Sequence, residues 1–219
     1  GEPAGSTVQD NWGTGDNMWH QYLANELGCI VISVDNRGTK VPRGRDFRKC
    51  IYRQIGLLAA DDQAAAAKKI MQTYTFIDSA HVGMWGWSGG GQMTLHGLFR
   101  HGNVFKTGIA VSFVALQSLY DNVYQERYMG LPEDNKYGYK EGSPLTHASK
   151  LQGKLMIIHG TGDDNVHYQN FEMMVNELIK NNKLFSMMSY PNRDHGIWQG
   201  VNTTLHLRRT MEQFWKLNL

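Results

Sequence analysis

Two rhythms of apolar residues alternate along this chain. Met18, Trp19, Tyr22, Leu23 and Leu27 recur at helical spacing and stop at Gly28, a residue suited to the end of a helix, so a helix is predicted there. Residues 29–35 (CIVISVD) follow as a short β-branched run of the kind carried by a strand buried on both faces. AADDQAAAAKKIMQTY is built from strong helix formers and reads as helix to about Tyr74, with HVGMWG as the next strand. GQMTLHGLFRH reads as helix, and KTGIAVS and KLMIIHG as strands. YQNFEMMVNELIKNN is a helix with Phe171, Met174, Val175, Leu178 and Ile179 on one side; LFSMMSY is a last strand and TLHLRRTMEQFWKL a closing amphipathic helix. Strands alternating with helices predict an α/β domain with a mostly parallel sheet and helices on both faces.

Composition narrows the function classes more than the fold. A chain of 219 residues suits one domain spanning 1–219, and 41% hydrophobic and 19% charged residues with a net charge of +2 give no electrostatic reason to bind nucleic acid or an anionic membrane. No apolar run reaches membrane-spanning length. Cys29 and Cys50 cannot build a disulfide framework, no Cys/His spacing resembles a zinc site, and the compartment stays open on this ground. Arg37, Lys40, Arg43, Arg45, Arg48, Lys49 and Arg53 crowd one loop against a single acid, Asp46; a solvated surface excursion is favoured over a docking surface.

The chemistry starts at Gly86-Trp87-Ser88-Gly89-Gly90, a G-x-S-x-G run where a predicted strand turns into a predicted helix. A sharp turn there strains the serine, and flanking glycines let backbone approach without Cβ clashes. The same turn aims the helix start and the Gly89 N–H at a developing oxyanion. TGDDNVH follows the strand KLMIIHG, and PNRDHG follows LFSMMSY, so an acid and His195 come after Ser88 at successive strand ends. Serine, acid, histidine is the α/β-hydrolase order, and carboxyl ends of parallel strands are where such sheets place their sites. Spacing alone does not choose between Asp163 and Asp164. The other histidines, His159 among them, read as structural or surface groups.

GWSGGG, GIAVS, YDNVYQERYMGLPEDN, IHGTGDDNVH and DHGI in this order, with VDNRGT and VPRGRDFRK upstream, are more specific than a fold class. Along nearly all its length the chain resembles the catalytic domain of the dipeptidyl peptidase IV branch of the prolyl oligopeptidase family. The resemblance implies Ser88 as nucleophile, His195 as general base and Asp163 as the orienting acid. It implies Tyr120 and Tyr124 as aromatics around a proline ring, which i, i+4 spacing would put on one helical face. Val114 and Val166 would be apolar walls of that pocket, and Asn165 an amide that bonds a substrate carbonyl. The implied reaction is acyl transfer from a peptide substrate, releasing N-terminal dipeptides after a penultimate proline or alanine, with neither cofactor nor metal. An upstream β-propeller, a homodimer formed through the hydrolase domain, and a secreted or periplasmic location are implied as well.

The chain departs from the family pattern in three places. Gly89 stands where the family usually has a tyrosine, which keeps the N–H and loses a pocket side chain. The family's oxyanion tyrosine would fall one residue before Gly1, where this chain opens GEP, and losing one such donor costs on the order of 100-fold in rate. The propeller lies outside these residues. The expectation is therefore a C-terminal portion of a longer chain, with N-terminal strands missing and a gap between the strand at 29–35 and HVGMWG. A broader acyl hydrolase, such as an esterase or acylaminoacyl peptidase, is the nearest alternative; an inactive binding or dimerisation module is the alternative from another class. The sequon Asn202-Thr203-Thr204 matters only in a eukaryotic secreted setting.

Overall fold

A computed structural model describes residue 3, residues 5–8 and residues 16–219; apart from Pro3, the opening GEP lies outside the described residues. Chain order is α1 (Asp16–Leu27), α2 (Gly44–Lys49), α3 (Leu58–Thr73), β1 (Gly83–Trp87), α4 (Gly89–Arg100), β2 (Thr107–Val111), α5 (Asn122–Met129), α6 (Lys136–Glu141), β3 (Lys154–Gly160), α7 (Gln169–Lys180), β4 (Ser186–Tyr190) and α8 (Thr203–Asn218). The strands form one parallel sheet in the order β1-β2-β3-β4. Among the described residues, no helix is long and apolar enough to cross a membrane.

Alternation along the central strands explains why helices cover both faces. Ile109 and Val111 of β2, with Met156 and Ile158 of β3, enter one core with Leu23 of α1 and Leu207, Met211 and Trp215 of α8. Ala110, Leu155 and Ile157 point the other way, into a core with Ala64 of α3, Leu95, Leu98 and Phe99 of α4, and Phe171, Met174 and Leu178 of α7. Period-two patterning with both sets apolar demands two helical layers. α4 is buried from Gly91 to Phe99. Its close approach to β2 needs Gly91, where an added Cβ would lie 2.7 Å from the Val111 carbonyl oxygen and 3.0 Å from Phe113 Cβ.

The register Trp87↔Val111 and Gly160↔Tyr190 leaves the carboxyl ends of the strands along one edge of the sheet. The loops after β1, β3 and β4 leave from that edge. Gly28, at φ +61, ends α1 in the left-handed conformation expected of a glycine there. The basic loop is a surface excursion only in part: α2 within it has no buried residue and Arg37 is held by Asp62 at 2.7 Å, whereas Thr39 is buried and Ile51 enters a core with Met129 and Tyr139.

One expected strand is absent from the sheet. Residues 29–35 make no β-ladder; Ile30 and Ile32 are 57% and 49% exposed, while Cys29 and Val31 lean on the core beside α8. A doubly buried strand needs hydrogen-bonded neighbours, and among the described residues the side of β1 away from β2 has none. All five β1 residues are only partly buried, whereas all five of β2 are buried. The segment is fixed by side chains instead. Gln63 Nε2 donates to the Val34 carbonyl (2.8 Å), and Asp35 accepts from the Ser6 hydroxyl (2.9 Å) and the Thr7 amide (2.8 Å).

The glycines after the serine make the packing testable. Gly91→Ala should destabilise the fold by about 1–3 kcal/mol through overpacking against β2. Gly90→Ala, where an added Cβ meets nothing within 4 Å, should leave the urea midpoint unchanged or raise it. Equal midpoints for the two variants would refute this account of the α4–β2 contact.

Candidate active site

Ser88 joins β1 directly to α4 at φ 58 and ψ −120, a conformation that costs a non-glycine residue about 1–3 kcal/mol. Its amide donates to the Val111 carbonyl (2.9 Å), and its carbonyl accepts from the Gln92 amide (3.0 Å), so sheet and helix together hold the strain. Gly86 is what the turn requires: a Cβ there would lie 2.2 Å from the Gly90 carbonyl oxygen. Gly90, the other glycine of the pentapeptide, has open space at that position and is not required sterically. The Gly89 N–H belongs to the first turn of α4, whose amides have no acceptor within the helix.

Asp163 and His195 meet because the turns after β3 and β4 are bound together. The Gly162 amide donates to the Arg193 carbonyl (3.0 Å), and the Asn192 amide to Thr161 Oγ1 (2.7 Å). Gly160 lets these backbones approach, since a Cβ on it would lie 2.2 Å from the Arg193 oxygen. Asp194 Oδ1 accepts from the Gly196 amide (2.9 Å), shaping the turn that carries His195. The His195 carbonyl accepts from Trp87 Nε1 (2.8 Å) and the Ser112 hydroxyl (3.3 Å), which ties the histidine loop to the residue beside Ser88.

The Asp163 carboxylate has no solvent exposure. Its Oδ1 accepts from the amides of Asn165 (3.0 Å) and Val166 (2.8 Å), and its Oδ2 faces His195 Nδ1 at 2.8 Å and His159 Nε2 at 3.2 Å. Burial alone would push the carboxyl up. Donation by His159, His195 and the Val166 amide outweighs that and holds it well below the usual carboxylate range. Asp164, its neighbour, is exposed. His195 keeps 21% of its side chain accessible. Among the described residues the Ser88 hydroxyl makes no hydrogen bond to His195, a link that often forms fully only with substrate in place.

The residues expected around a substrate lie beside this centre. The Tyr120 hydroxyl donates to Asn165 Oδ1 at 2.9 Å, which joins the tyrosine to the aspartate loop. Tyr120 and Tyr124 pack edge to face at 5.2 Å, and Tyr124 and Tyr128 at 4.9 Å. The expectation that Tyr120 and Tyr124 share a helical face needs correction. Tyr120 is extended at φ −111 and ψ 165, Asp121 caps α5 by accepting from the Tyr124 amide, and the helix starts only at Asn122. The capping aspartate ends the helix before the tyrosine is reached. Val114 and Val166 are 4% and 0% exposed, and both are part of the interior. Tyr120 also lines a small cavity of about 50 Å³ with Gln117, Ser118, Gln125, Glu126 and Tyr139.

Sequence reasoning missed Trp87 and His159. Nothing in the position before a serine announces a loop anchor, whereas His159 and Asp163 in HGTGD carry a spacing of four that a tight turn after a strand can fold together. Among the described residues, no cluster of three His, Cys, Asp or Glu side chains could hold a metal ion.

A parallel sheet that carries its serine, acid and histidine in this order after three strands is an α/β-hydrolase. The chain belongs to the prolyl oligopeptidase family, whose model matches residues 16–219. It is 37% identical over 201 residues to venom dipeptidyl peptidase 4 of Vespa velutina, covering 90% of this chain and 25% of that protein. It is 35% identical over 214 residues to dipeptidyl peptidase 4 of Trichophyton equinum, covering 95% and 27%. The crystal structure of Porphyromonas gingivalis dipeptidyl peptidase 4 superposes with a TM-score of 0.81 at 46% identity, over 84% of this chain and 26% of that one. The chain thus spans about a quarter of the length of the proteins it matches.

The depressed Asp163 carboxyl predicts how stability depends on pH. Its bonds contribute above the unfolded carboxylate value of about 3.9, and the contribution is lost as pH falls through the acid range. Between pH 7 and pH 3 the urea midpoint of the wild type should therefore fall further than that of Asp163→Asn. Equal falls would mean that Asp163 contributes nothing to acid sensitivity.

Proposed function

We propose that this chain carries the acyl-transfer centre of a serine peptidase that releases N-terminal dipeptides after a penultimate proline or alanine. The observation that carries the reading is the buried Asp163 held 2.8 Å from His195 Nδ1, in a loop tied through Trp87 to a strained Ser88. With its proton fixed on Nδ1, the His195 imidazole offers Nε2 as a base. Ser88 attacks the substrate carbonyl, His195 takes its proton and returns it to the leaving amine, and Asp163 stabilises the imidazolium. The Gly89 N–H and the start of α4 stabilise the oxyanion. Water then releases the dipeptide by the same steps.

Tyr120, Tyr124 and Asn165 support a pocket for a small ring next to a carbonyl-binding amide. Gly89 in place of a pocket side chain favours a second reading with looser acyl specificity, in which simple esters are also cleaved. The open side of β1 supports a further strand supplied by chain preceding residue 1, and the coverage of its relatives supports an upstream domain such as a propeller. Ile179 and Met187, 63% and 58% exposed beside a groove of about 280 Å³ on α7 and β4, support a homodimer.

A fluorophosphonate probe tests the centre. Labelling should occur at Ser88, disappear in Ser88→Ala and drop by at least about 100-fold in His195→Ala. A panel of Xaa-Pro and Xaa-Ala anilides against simple acyl esters then separates the two specificities: ester cleavage without dipeptide release selects the looser enzyme. Absence of labelling, both in this chain and in a form extended upstream, would overturn the reading. In the extended form, hydrogen exchange of the β1 amides should slow by at least about tenfold if a strand joins that edge; an unchanged rate would sink the added strand.

A further inference from the structure

Asp163 does not serve His195 alone. His159, at the end of β3, lies with Nε2 2.8 Å from the Val166 carbonyl oxygen and 3.2 Å from Asp163 Oδ2, the same oxygen that faces His195. Two acceptors opposite one ring nitrogen require the proton there, because a lone pair would face two oxygens. Among the described residues His159 Nδ1 is buried without a hydrogen-bond partner, so the ring donates in one direction only. The imidazole has 0% exposure and is boxed by Phe113, Tyr168 and Phe171, with ring centroids 5.6, 5.8 and 5.9 Å away. Tyr168 is itself anchored to Ser189 Oγ at 2.6 Å. A ring held this tightly is a fixed donor.

The two imidazoles differ in freedom. His195 sits in a turn with partial access to solvent, whereas His159 cannot move without displacing the core of the α7 face. Resting on the triad reading above, we propose that His159 is a positioning residue for the acyl-transfer centre: a bifurcated donor that fixes the Asp163 carboxylate and shares the charge on Oδ2. The acid then keeps its orientation while His195 gains and loses its proton. The sharing also tempers the bond from Asp163 to His195, since one oxygen divides its acceptor strength between two N–H groups.

Three forms decide this: wild type, His159→Phe, which refills the aromatic box without a donor, and His159→Gln, whose side-chain amide restores one. His159→Met serves as the donor-free variant if the phenylalanine overfills the box. The readouts are the rate of fluorophosphonate labelling at Ser88, the proton NMR resonance of His195 Nδ1–H, and the thermal midpoint. In His159→Phe, labelling should slow by about tenfold or more and the His195 resonance should move downfield, with the midpoint lowered because the buried Val166 carbonyl and Asp163 lose a donor. His159→Gln should recover both. Wild-type labelling with an unmoved resonance in the donor-free variants overturns the proposal, as does a His159→Gln variant that behaves like His159→Phe. A wild type that fails to label in the upstream-extended form as well, but whose His195 resonance still moves in His159→Phe, would sink the peptidase reading and leave the positioning role standing.

Discussion

A buried carboxylate must be satisfied or neutralised, and that constraint organises the functional edge of this sheet. Asp163 has no solvent exposure and faces N–H groups from Asn165, Val166, His195 and His159. Those donors come from its own turn, from the end of β3 and from the loop after β4. Satisfying one side chain therefore fixes the end of β3 and the turn that follows it against the His195 loop, 32 residues further along the chain. The glycine at 160 follows from the same requirement, because the loops can share the carboxylate only if their backbones nearly touch.

The strain at Ser88, one of seven described non-glycine residues at positive φ, is balanced elsewhere. A cost of about 1–3 kcal/mol is a sizeable share of the roughly 5–15 kcal/mol by which domains are stable. The surrounding structure over-determines the turn: β2 holds the serine amide, α4 holds its carbonyl, and α4 is buried along most of its length. The geometry that exposes the serine is thus underwritten by the most deeply packed helix in the α/β core. Gly91 makes that packing possible although it lies outside the pentapeptide that draws the eye.

What was legible in the sequence was local or periodic. β3 coincides with KLMIIHG, the predicted helix after Ser88 is α4, and Gly28 ends α1 as a left-handed glycine. Ser88, His195 and an acid from the Asp163–Asp164 pair stand out because each follows a strand signal. The misreadings share a cause. Residues 29–35 have the composition of a strand, but a strand is defined by its neighbours, and no neighbour can be read from the segment itself. Tyr120 and Tyr124 have helical spacing, yet a capping aspartate between them decides where the helix starts. Asp163 and Asp164 are chemically equivalent in sequence; only the fold buries one and exposes the other.

The open side of β1 has a consequence for how this polypeptide behaves in a tube. A strand whose outer row of backbone donors and acceptors has no partner among the described residues is a template for pairing with another chain. Charged gatekeepers are missing from GMWGW, so nothing on the strand itself repels a second copy. Expressed by itself, the domain would carry its aggregation hazard next to its nucleophile, and solubility and reactivity would be lost or kept together.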